Sequence, residues 1–81
     1  MVTVELSIQA SNGKWMRQEI ACLRPHPGDD IFIDSEMFQI RATALEAGES
    51  KVLARVVHSG RKRLSARMLS AMGFFPVDDC E

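Results

Sequence analysis

Residues 2–10 alternate without a break: Val2, Val4, Leu6, Ile8 and Ala10 fall on one side, and Thr3, Glu5, Ser7 and Gln9 on the other. A helix would scatter these apolar residues around its axis, whereas a strand collects them on one face. The chain is therefore committed to a half-buried strand, and the residues beyond it have to build a sheet with one apolar side.

The next strand is set by parity. Asn12-Gly13 has the composition of a two-residue hairpin turn, but that register would place Ile8 opposite Arg17 and Leu6 opposite Glu19. A three-residue loop of Ser11, Asn12 and Gly13, with Gly13 left-handed, pairs Ala10 with Lys14, Ile8 with Met16, Val4 with Ile20 and Val2 with Cys22. Apolar faces then coincide, with Gln18 the exception.

Farther along, "RPHPGDD" interrupts the pattern and reads as a loop. Short strands are expected over 31–33 and 37–45, the latter with Phe38, Ile40, Ala42 and Ala44 inward. A β-branched strand over 51–58 presents either Val52, Ala54 and Val56 or Leu53 and Val57 to the core, the first set being cleaner. From Leu64 the period becomes helical, with Leu64, Met68, Ala71 and Met72 on one side and Gly73 placed to end the helix. With strands over about 2–10, 14–23, 31–33, 37–45 and 51–58, a helix over about 62–72 and a tail over 76–81, the expected class is α+β, mainly β. The expected architecture is a five-stranded antiparallel meander, bent or closed into a small, partly open barrel, with one C-terminal helix.

At 81 residues the chain is read as one complete small domain, which buries roughly 60% of its unfolded surface. That is enough for one core and too little for a deep, walled active site. No apolar run approaches the roughly 18 residues of a membrane span, and the first residues alternate rather than forming a signal core, so no membrane association and a cytoplasmic setting are expected. The two cysteines, Cys22 and Cys80, are expected to be free thiols.

Catalytic and metal constellations are weak. Cys22, His26, His58 and Cys80 match no zinc spacing, so no metal and no cofactor are expected. Cys22 lacks an orienting group for nucleophilic chemistry, and Asp29, Asp30 and Asp34 read as turn formers. No phosphate-binding glycine loop is present. No catalytic residue is assigned, and the chain is expected not to be an enzyme.

Charge is the more informative signal. Net charge is −1, yet residues 1–40 sum to −3, residues 41–67 to +5 and the tail to −3. Arg61, Lys62, Arg63 and Arg67 crowd into seven positions where strand gives way to helix. A helix starting at residue 59 or 60 would put cations at its positive end, so a start between residues 61 and 64 is favoured, with Ser65 as a cap the later alternative. Trp15 sits on the polar register of the second strand, opposite Gln9. It is either an outward anchor or part of a second buried face in a curved barrel.

Two functions fit these features. The favoured one is a non-catalytic module acting through a protein partner or through self-association as a homodimer. The other is nucleic-acid binding through the basic 61–67 patch, helped by Arg41, Arg55 and Lys51 and by stacking on Trp15 or Phe74. Partner-binding residues under either reading are Arg61, Lys62, Arg63, Arg67, Trp15, Arg41 and Arg55. A chain this close to neutral is a poor generic binder of nucleic acid, which places protein ahead.

Overall fold

The computed structural model describes residues 2–45, 51–60 and 63–77. The elements are β1 (Val2–Gln9), β2 (Trp15–Cys22), β3 (Asp30–Ile33), β4 (Glu36–Leu45), β5 (Lys51–His58), α1 (Ala66–Ala71) and β6 (Phe75–Pro76). The protein is mainly β: one curled, open sheet in a half-barrel, with a single short helix among the described residues.

The first hairpin obeys parity. Val2 pairs with Cys22, Val4 with Ile20, Ile8 with Met16 and Gln9 with Trp15. Gly13 has φ +87°, and Ala10 exchanges backbone hydrogen bonds across the turn, accepting from Gly13 at 2.9 Å and donating to Lys14 at 2.8 Å.

The expected antiparallel meander of five strands does not form. The sheet has six strands in the order β3-β4-β5-β1-β2-β6, and β1 pairs with β5 in parallel. The cause lies in the loop after β2. Pro25 and Pro27 have no N–H to give a ladder, so residues 23–29 leave the sheet as a loop. The loop instead closes on itself, His26 N–H donating to Asp29 Oδ2 at 2.9 Å. It docks on β4 through Gly28 N–H to Ile40 O at 2.7 Å and Ile40 N–H to Asp29 O at 2.8 Å. The chain thus restarts across the sheet, and the β3-β4-β5 unit meets the free side of β1. The sixth strand pairs with β2 at Met16 and Arg17.

Two local expectations also change. Between Ile40 and Ala42 the β4–β5 register shifts by one residue, so Ala42 and Ala44 oppose Arg55 and Leu53 and are exposed rather than inward. A bulge inserts one unpaired residue and resets the alternation beyond it. The helix begins at Ala66, later than 61–64, because Ser65 is extended and its Oγ accepts the Met68 N–H at 3.2 Å.

Val4, Leu6, Ile8, Met16, Phe38, Ile40, Val52, Ala54 and Val56 form the concave core, closed by Leu64, Leu69 and Phe74. Val52, Ala54 and Val56 are thus the inward set of β5. Phe75 is exposed, unlike Phe74. Among the described residues no helix is long and apolar enough to cross a membrane.

Candidate anion-binding cleft

The parallel ladder between β1 and β5 runs from Thr3↔Lys51 to Ser7↔Arg55 and ends there. Past that pair the strands separate: β1 stays with β2 as far as Gln9↔Trp15, and β5 stays with β4 as far as Phe38↔His58. The gap is an open cleft of about 780 Å³, bounded by residues 8–10 and 56–58, the turn 11–13, and residues 63 and 64. Ile8, Ala10, Val56 and Leu64 belong to the buried core and give the cleft an apolar floor.

Polar side chains surround that floor: Trp15, Arg41, Arg55, Arg63, Gln9 and Asn12. Each has a local reason for its place. Arg41 is the extra residue at the β4 bulge and lies beside Gln39, Nη1 to Oε1 3.4 Å. Arg55 occupies the outward register of β5, next to Ser7. Arg63 precedes Leu64, whose side chain is in the core and whose carbonyl accepts the Ser11 N–H at 2.9 Å. Trp15 has its backbone held on both sides, by its pairing with Gln9 and by Val77 N–H to Trp15 O at 3.1 Å. Its side chain points outward, 40% exposed, and is not part of a second core.

Charge on the outer side of the sheet is divided into two zones. Near the middle, Lys51 Nζ lies 2.9 Å from Glu5 Oε1 and 2.8 Å from Glu19 Oε2, and Arg17 lies 3.7 Å from Glu5 and over the Phe75 ring. The hydrogen bond from Lys51 holds the Glu19 carboxyl below the ordinary range, and Glu19 and then Glu5 hold the Lys51 ammonium above it. Lys51 is therefore committed to its own sheet. At the cleft, among the described residues, Arg41, Arg55 and Arg63 have no carboxylate partner and no acidic side chain is part of the lining.

His58 is held at both ring nitrogens. The Gly60 N–H donates to Nδ1 at 3.0 Å, so Nε2 carries the ring proton and faces Glu36 Oε1 at 2.6 Å. The ring meets Phe38 edge-on, 5.5 Å between centroids. Both ring nitrogens have partners, and the chain leaving β5 is held at Gly60. Burial pushes the Cys22 thiol above its ordinary range, opposite to an activated nucleophile. Among the described residues no three His, Cys, Asp or Glu side chains gather as metal ligands.

Four of the residues predicted to bind a partner therefore share one cleft: Trp15, Arg41, Arg55 and Arg63. Arg67 is exposed on α1 and does not line it. Arg61 and Lys62 lie outside the described residues, as do Cys80 and residues 78–81 of the tail. Gln9 and Asn12 carried no signal in the sequence beyond their nearness to the turn. Comparison with models of known families, with curated proteins and with solved structures finds no match.

Proposed function

We propose that this chain is a non-catalytic binding module that receives an anionic partner in the cleft between β1 and β5. The observation that carries this reading is the convergence of Arg41, Arg55 and Arg63, without carboxylate partners among the described residues, around an apolar floor. Guanidinium groups offer carboxylates and phosphates a planar, two-pronged set of donors and are weakly hydrated, so they bind anions well at a partly dry surface. The chain as a whole is acidic by one charge, so attraction for anions has to be local. Cys22 is a free thiol, which fits a cytoplasmic setting.

The test is retention on a cation-exchange resin at neutral pH and low salt. A chain of net charge −1 is retained through a concentrated patch, and R41E/R55E/R63E is expected to flow through while K14E stays bound. Flow-through of the unmodified protein would reject the cleft as an anion site.

A protein partner, including a second copy, is the second reading, favoured by apolar residues the fold leaves outside. Leu23 and Phe32 are 79% and 67% exposed, and Phe32 lies on β3, which pairs with β4 alone among the described strands. An open edge of this kind can add a strand from another chain. Sedimentation over a wide concentration range would show a concentration-dependent dimer; a monomer throughout removes self-association.

A further inference from the structure

Resting on the cleft's role as an anion site, we infer that its partner is a single-stranded nucleic acid, with a base stacked on Trp15 and the flanking phosphates held by Arg41, Arg55 and Arg63. Three guanidinium groups alone would accept any polyanion. Trp15 is what discriminates. It is the chain's single tryptophan, outward on the first residue of β2, and it lines the same cleft as the three arginines. An indole face is a poor partner for a carboxylate and a good one for the flat face of a base, which a duplex hides in its stack and a single strand offers.

The backbone of Trp15 is fixed from two sides, by β1 and by Val77, so the platform is set before a ligand arrives. The neighbouring amides are half committed. Gln9 Nε2 donates to Gly13 O at 2.9 Å, and Asn12 Oδ1 accepts the Lys14 N–H at 3.0 Å. Gln9 Oε1 and Asn12 Nδ2 are thereby left at the cleft as an acceptor and a donor for a base edge or a ribose hydroxyl. The cleft is open, so a strand can pass through it rather than end in it.

The test measures fluorescence polarisation with labelled oligo-dT and oligo-U of about ten nucleotides, within the range of small single-strand-binding domains. A blunt duplex of the same length and a polyglutamate peptide of the same charge serve as competitors. The expected result is displacement by unlabelled single strands and not by duplex or polyglutamate, with affinity falling as salt rises. Trp15→Ala is expected to weaken binding about 5- to 150-fold, and Trp15→Phe to restore most of it. The relative strength of oligo-dT and oligo-U reports which sugar is preferred, and binding of either supports the inference. Circular dichroism melts of both variants separate lost stacking from lost fold.

Displacement by duplex as good as by single strand overturns the inference, as does Trp15→Ala binding as tightly as the parent. Stronger displacement by polyglutamate overturns it in favour of an acidic peptide. In those three cases the cleft still takes an anion. If neither oligonucleotide binds and the protein also passes through the cation-exchange resin, the anion site itself fails.

Discussion

Ser7 and Arg55 are the last register pair of the parallel ladder joining β1 to β5. Up to that pair the two strands share hydrogen bonds and cover the core between them. One residue later they belong to different hairpins, and Arg55 stands at the rim of the opening with Arg41 and Arg63. Trp15 and Arg55 are carried on paired backbone, which preorganises that part of the rim, while Arg41 stands at the β4 bulge and Arg63 in the segment before α1.

The electrostatic prediction concerns salt. If the three cleft arginines contact phosphates, Arg41→Ala, Arg55→Ala and Arg63→Ala each lower the slope of log affinity against log salt by about 0.7 for a single strand. Arg17→Ala leaves it unchanged, because Arg17 is engaged by Glu5 and Phe75. Binding isotherms at several salt concentrations check both.

Gly13 and Gly73 both have positive φ, +87° and +101°. An alanine in the left-handed region costs about 1–2 kcal/mol. At Gly13 nothing stands within 4 Å of the added Cβ, so that cost is the whole effect. At Gly73 the Cβ would come within 2.5 Å of Gln18 Nε2, and Gln18 Oε1 is already buried without a partner. Gly73→Ala is therefore the more damaging of the two, and Gln18→Ala in the same chain removes the excess. Urea denaturation of the parent, Gly73→Ala, Gln18→Ala and the double variant forms the cycle that measures it.

The Lys51, Glu5 and Glu19 cluster gives stability a defined pH dependence. Glu19 has its folded pKa below the ordinary 4.5, so its contribution is present above that value and is lost as pH falls through the folded pKa. Lys51 has its folded pKa above the ordinary 10.5, so its contribution is present below that value and is lost as pH rises through the folded pKa. Denaturant melts across pH are expected to show both declines. Glu19→Gln should flatten the acid limb, and Lys51→Met should remove the alkaline one and weaken the acid one.

Leu69 is the main side chain by which α1 closes the core, with Ala66 and Met72 packed beside it. Leu69 is the buried residue of this six-residue helix, and Ser65 caps it. Leu69→Ala is expected to cost about 2–5 kcal/mol through the cavity it leaves, and Ser65→Ala about 1 kcal/mol through the loss of one backbone partner. Thermal melts monitored by circular dichroism would rank them in that order, with the Leu69 variant also loosening Phe74.

Local patterning was sufficient for much of the sheet. Period-two alternation placed β1, the parity of Ile8 and Met16 chose a three-residue turn over Asn-Gly alone, and the inward set of β5 was distinguishable because Arg55 separates Leu53 from Val57. These features depend on neighbours in sequence or on a register that a wrong choice would penalise at every other residue. The bulge at Arg41 left no such trace, since Ala42 and Ala44 are small enough to suit either face.

What the sequence determined by itself was five of the six described strands and the presence of one C-terminal helix, the apolar faces of β1 and β5, and an excess of positive charge in residues 41–67. Tertiary structure alone decided that β1 lies parallel to β5, that Lys51 is neutralised by Glu5 and Glu19, and that Trp15, Arg41, Arg55 and Arg63 share one cleft while Arg67 stands apart. The physical reason is that side-chain periodicity specifies which face of a strand is buried but not which strand lies beside it. Neighbours here are set by the docking of the loop after β2 on β4 and by the burial of β1's free side, both of which act between segments far apart in the chain.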